Sequence, residues 1–206
     1  ETEDKPKKAN KTKAVLEHLV EIGRTGFSPS SLTQYIRNPY SFYEQRMLKV
    51  QPVQEISNQL SAMDKGTIMH KVLEILYQPY VTHLMKASNY DKMLELLPNT
   101  LDTVFTSTLQ NQEQKTGKNA LVYKIMIEVL KQFLRAEKQQ VSEGDQIRIL
   151  ALEHEFSKAV YVTPLKKEIQ FKGTVDRIDE LNGTLRFVDY KTGKVGAADL
   201  AFLNWE

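Results

Sequence analysis

Apolar residues recur at helical spacing from Val15 to Ala136 and give way to β-type runs from Ile147 onward. Val15 to Ile22 reads as a short helix ending near Gly23. Phe27-Ser28-Pro29 opens another, with Ser28 as N-cap and Pro29 at the first helical position. Leu32, Tyr35 and Ile36 form its apolar face, Asn38-Pro39 interrupts it, and helix resumes over Tyr40 to Leu48. Gln59 to Tyr77 is strongly helical, with Leu60, Met63, Thr67, His70, Leu73 and Tyr77 along one stripe. Residues 80–118 are less regular; helices are expected around 91–110 and a polar loop over Asn111 to Asn119. Leu121 to Ala136 is helical and apolar over a wide face, and Gly144-Asp145 breaks it. Ile147 to Phe156, Glu168 to Leu181 and Thr184 to Tyr190 read as consecutive strands, with Gly193 and Gly196 before a helix from Ala197. Helices followed by an antiparallel meander predict an α+β fold, with helices packed on a small sheet.

Composition narrows the picture little. The chain has 206 residues and a net charge of +2, which neither demands nor excludes a nucleic-acid partner, since a local patch can still be basic. Five lysines fall between Lys5 and Lys13, so residues 1–13 read as a flexible basic tail, with 14–206 as a single domain. No run of about 18 apolar residues occurs, so no membrane contact is expected. There are no cysteines, which excludes disulfides, thiolate zinc sites and a cysteine-held iron–sulfur cluster, and makes the cytoplasm the default compartment. The first residue is Glu, so the chain is expected to be excised from a longer protein.

The chemistry gathers around Asn182-Gly183. Asn-Gly between two strand-like runs signals a two-residue hairpin. If Leu181 pairs with Thr184, counting outward sets Asp179 against Arg186, Ile178 against Phe187, Arg177 against Val188, Val175 against Tyr190, and Asp176 against Asp189. Opposed like charges destabilise a ladder unless something offsets them, and a hard divalent cation would do so. Lys191 lies two residues beyond Asp189, on the same face. Two carboxylates and an ammonium on one side of a hairpin suit metal-dependent hydrolysis.

Other candidates are weighed against plainer roles. His70 is a packed histidine or a metal ligand, with Gly66 one turn earlier for close approach and Glu74 one turn later to orient the ring. Glu153 and Glu155 share a strand face and are either solvated or, for Glu153, part of the acidic cluster. Tyr35, Tyr40, Phe42 and Tyr43 interleave with Arg37, Arg46 and Lys49, and Lys65 follows. They form either an aromatic core face with a charged exterior or a surface for single strands.

Taken together, Gly66 to His70, Leu152 to Phe156, GTVDRID (Gly173 to Asp179) and DYKTG (Asp189 to Gly193) resemble the RecB-like branch of the PD-(D/E)xK nuclease superfamily. Phe27 to Val50 looks like the segment preceding the nuclease core in AddB-like helicase–nuclease subunits. The resemblance implies a restriction-endonuclease-like fold and a Mg²⁺- or Mn²⁺-dependent DNA exonuclease, working in double-strand-break repair with a helicase domain or subunit. It implies metal held by His70, Asp176, Asp189 and the Tyr190 carbonyl, catalysis by Asp176, Asp189 and Lys191, and Glu153 as an additional acid. Tyr35, Arg37, Lys65, Thr192 and Lys194 would touch DNA. Two features depart from the family: the cysteines of an iron–sulfur staple are absent, and no Gln-x-x-x-Tyr helix follows the DYK strand before Glu206, so a C-terminally truncated domain is expected. The alternatives are a non-cleaving DNA-binding scaffold of the same fold, and a single-strand nuclease of the CRISPR-adaptation type, whose relatives carry cysteine clusters.

Overall fold

The computed structural model describes residues 10–50, 60–108 and 117–193. Helices come first: α1 (Lys13–Thr25), α2 (Pro29–Arg37), α3 (Pro39–Phe42) running into a π-turn (Tyr43–Met47), α4 (Ala62–Tyr77), α5 (Ala87–Thr108) and α6 (Gly117–Ser142). Three strands follow: β1 (Ile147–Val162), β2 (Lys167–Leu181) and β3 (Thr184–Val188), in sheet order β1-β2-β3. The fold is α+β, as the periodicity predicts. No helix among the described residues is long and apolar enough to cross a membrane.

The chain forms two compact units. Glu1–Ile56 with Glu155–Thr174 make one, and Ser57–His154 with Val175–Glu206 make the other.

In the first unit, Ser28 caps α2 by accepting from the Ser31 N–H at 3.2 Å, with Pro29 at the first position. Pro39 ends α2 because it restricts Asn38, which turns to cap α3 instead. The helix expected over Tyr40 to Leu48 is therefore split between α3 and the π-turn. Phe27 lies beside β2, donating to the Gln170 carbonyl at 2.8 Å and accepting from the Lys172 N–H at 3.0 Å. Gly173, which opens GTVDRID, lies against the Phe156 ring. A Cβ there would meet ring atoms at 2.8 and 2.9 Å, so any larger residue would have to push the Phe156 ring aside.

In the second unit, α4 packs on α5 and α5 on α6. Their core is Ile68, Val72 and Leu76 from α4, Met93, Leu97 and Phe105 from α5, and Leu130 and Leu134 from α6, closed by Ile147 and Ile149 of β1. α6 starts at Gly117, so the last three residues of the expected polar loop are helical, while 109–116 lie outside the described residues, as does the helix expected from Ala197.

The hairpin register is as counted. Five pairs run from Leu181↔Thr184 to Arg177↔Val188, through Asp179↔Arg186 and Ile178↔Phe187. Asn182 and Gly183 take φ of 51° and 82°, both left-handed, as the two-residue turn requires. The ladder stops at Val188, short of the Tyr190 end expected from sequence.

Candidate metal centre

α4 brings the imidazole. A capping box fixes its start: the Ser61 side chain accepts from the Asp64 N–H at 3.1 Å, and the Asp64 carboxylate accepts from the Ser61 N–H at 2.9 Å. Ile68, Val72, Leu73 and Tyr77 bury one face of the helix and leave His70 half-buried at its edge. Nε2 of His70 lies 2.7 Å from the Tyr190 carbonyl oxygen. A carbonyl only accepts, so Nε2 carries the proton in that bond. In the neutral ring Nδ1 then holds a lone pair, and it lies 3.4 Å from Oδ1 of Asp176. Either a proton on Nδ1 or a bound cation would satisfy that pair of groups.

β2 brings Asp176, whose other oxygen, Oδ2, accepts from the Tyr190 N–H at 2.6 Å. A two-residue turn makes Leu181↔Thr184 a hydrogen-bonded pair, and alternation makes Val175↔Tyr190 the next such pair beyond Arg177↔Val188. The Tyr190 amide is instead taken by the Asp176 carboxylate, which is why the ladder ends where it does.

β1 brings Glu153, with φ of 44°, a left-handed conformation rare for a side chain of this kind. The alternation that would place Glu153 and Glu155 on one face assumes a regular strand, and the Glu153 backbone departs from one. His70, Glu153 and Asp176 each offer a ligand atom within 4.8 Å of the others, and all three are half-buried. Burial raises the Glu153 carboxyl above its ordinary value; Asp176 and Glu74 add to the rise, and His70 and Lys71 oppose it. One imidazole nitrogen and two carboxylates form a donor set that suits an oxygen-preferring divalent cation.

Other expected residues fall elsewhere. Asp189 lies outside this cluster; its carboxylate pairs with Lys191 Nζ at 2.6 Å, both side chains exposed. The face-to-face aspartate pair is thus not part of the ladder. Glu74 pairs with Lys71 at 2.7 Å rather than orienting the imidazole. Lys65 is half-buried on α4, and Thr192 is exposed, with Oγ1 3.4 Å from where a Cβ on Gly66 would stand. In the first unit Arg37 is exposed. There Tyr35 lines a groove of about 860 Å³ with Tyr40, Phe42 and Tyr43. Lys194 lies outside the described residues.

Beneath the site is a charged network that the sequence reading missed. Arg177 is fully buried and grips Glu137 of α6 through two bonds, at 2.5 and 3.2 Å. Its Nε lies 3.0 Å from Asp179, which is itself held by Arg186 at 2.8 and 3.0 Å. Tyr77 and Tyr90 both donate to Glu137. Burial would lower the Arg177 pKa, but Glu137, Tyr77 and Tyr190 together more than reverse this and keep the guanidinium charged. The available signal was Glu137 itself, in phase with the buried stripe of Met126, Leu130 and Leu134.

Across residues 26–201 the chain matches the family model of the PD-(D/E)XK nuclease superfamily. The chain belongs to that superfamily. Membership in the PD-(D/E)XK nuclease superfamily implies nuclease activity in general, and the matched span includes every residue of the cluster. A similar curated protein is the uncharacterized protein RC0550 of Rickettsia conorii, 23% identical over 172 residues, which are 83% of this chain. The chain spans 19% of that protein's length.

Proposed function

We propose that this chain is a Mg²⁺- or Mn²⁺-dependent DNA exonuclease domain. It works in the cytoplasm on double-strand ends, beside a helicase domain or subunit. The carrying observation is the cluster of His70, Glu153 and Asp176 with the Tyr190 carbonyl at its edge. These groups would hold the ion. A divalent cation there supplies charge neutralisation at the phosphoryl oxygens and a bound water of lowered pKa. Asp176 keeps one oxygen on the Tyr190 amide and turns the other toward the site, so its direction is fixed in advance. Lys191 is exposed and offers positive charge to an anionic phosphodiester once it leaves Asp189. The GTVDRID and DYKTG segments support the RecB-like, AddB-like reading that motivates the helicase partner. In the first unit, the aromatic groove with Lys11, Arg24 and Lys167 along it supports contact with single-stranded DNA.

One observation favours the alternative of a non-cleaving, DNA-binding module: Asp189 and Lys191 are paired with each other outside the cluster. Nucleotide release from linear DNA in Mg²⁺ or Mn²⁺ separates the two. Asp189→Ala, Lys191→Ala and Asp176→Asn are each expected to lower the rate by about a hundredfold or more. DNA binding with no metal-dependent release by the wild type, or wild-type rates in all three variants, overturns the nuclease reading.

A further inference from the structure

The peptide at Tyr190 does two things at once. Its N–H holds Asp176 and its carbonyl holds His70. Yet it lies beyond the last ladder pair, so strand hydrogen bonding does not fix it. What else holds it is its own ring. The Tyr190 ring meets the His70 ring edge-on at 5.7 Å and the Phe133 ring edge-on at 5.7 Å, and the Arg177 guanidinium carbon stands 5.8 Å from its centre. The Tyr190 hydroxyl is buried with no hydrogen-bond partner, so packing rather than that hydroxyl anchors the side chain.

Arg177 is the fixed wall of that pocket. It also lies over the Tyr77 ring at 4.8 Å and is locked by two hydrogen bonds to Glu137, while Asp179 is an ion-pair neighbour at 3.0 Å to which its Nε makes no hydrogen bond. Two carboxylates, Glu137 and Asp179, face two guanidinium groups, Arg177 and Arg186, so the network carries no net charge to be relieved by movement. Its members come from β2, β3, α4, α5 and α6, since Tyr77 and Tyr90 join it through Glu137. The buried network therefore reaches the candidate metal ligands through one aromatic ring.

We propose that Arg177 is a positioning residue for the metal centre: pinned by Glu137, it holds the Tyr190 ring, and through it the peptide that orients both His70 and Asp176. This rests on reading the cluster as a metal site, but its test reads the peptide directly. A short amide bond to a carboxylate gives a downfield, slowly exchanging amide proton. The full chain without metal should show this at Tyr190. Arg177→Lys keeps the charge and loses the planar fork. Arg177→Met with Glu137→Gln removes both charges and leaves an acceptor for the two tyrosine hydroxyls. In each, the Tyr190 amide is expected to move upfield and exchange about tenfold faster, while the ladder amides of Arg186 and Val188 stay protected. An arginine with only a structural role would speed all of these amides together. Calorimetry with Mn²⁺ should show an affinity loss of about tenfold or more in the same variants.

Tyr190 amides unchanged in both variants overturn the proposal. So does uniform loss of protection at Tyr190, Arg186 and Val188 in both variants. Phe133→Leu, which removes a ring that touches both Tyr190 and the Arg177 guanidinium, is expected to free the Tyr190 amide while Arg186 and Val188 stay protected, and a Tyr190 amide unchanged there also counts against the proposal. A wild type that binds no Mn²⁺ sinks the metal-site reading, and the amide comparison still decides whether Arg177 sets the Tyr190 peptide.

Discussion

At the scale of single residues, Glu153 combines two costs. Its left-handed backbone costs about 1–2 kcal/mol for a residue with a Cβ. Its carboxyl stands near Asp176 and Glu74 and is pushed above its ordinary pKa, first by burial and then by those charges. The sign of the pH dependence follows. A carboxyl raised in the folded state favours folding while protonated; that contribution is complete below the unfolded-state pKa and is lost as pH rises through the folded one. Metal-free protein should therefore lose stability relative to Glu153→Gln as pH rises from about 4 toward 7. With saturating Mn²⁺ the order should reverse at neutral pH, because the ionised group then has a cation to meet. Thermal melts of both proteins across that range, with and without metal, check it. A glutamine variant no more stable than wild type at neutral pH without metal would contradict the burial and charge crowding described above.

At the scale of elements, the β2–β3 hairpin is held by its turn as well as by its ladder. Asn182 takes φ of 51°, accepts from the Gln146 N–H at 2.8 Å and donates to Asp145 at 2.8 Å. Its own N–H meets the Gln146 carbonyl at 2.9 Å, tying the tip to the residues before β1. Asn182→Ala keeps that last bond and loses both side-chain bonds and the tolerance for positive φ. It should cost about 2 kcal/mol, read as a lower denaturation midpoint at unchanged slope. A shift near zero would mean that the ladder alone sets the hairpin. The turn was legible because Asn-Gly carries its own backbone chemistry, and five pairs of register followed by counting. Asp189 falls just beyond the ladder because counting assumes that the pairing continues, whereas a side chain, Asp176, takes the amide that would extend it. The kink at Glu153 has no glycine or proline to announce it. The Arg177–Glu137 pair joins residues 40 positions apart and was hidden because charged residues read as surface until their partners are known.

For the whole molecule, the partition into two compact units decides where bound metal acts. His70, Glu153, Asp176, Asp189 and Lys191 all belong to the unit built from Ser57–His154 and Val175–Glu206. The other unit has its own buried contacts, among them Phe42 and the Gly173–Phe156 approach, and none of the three clustered ligands. A ligand that binds only the native form stabilises what must open to release it, by about 2.7 kcal/mol at a hundred times its Kd. Hydrogen exchange should resolve this by unit. At that Mn²⁺ concentration, amides of α4 and of the core strand segment Ile147–Leu152 should slow by up to about a hundredfold. Amides of α1 and α2 should change little if each unit opens separately. Slowing confined to α1 and α2 would move the ion away from His70 altogether. Equal slowing in both units would instead show that the chain opens only as a whole, with the metal's binding energy shared across both cores.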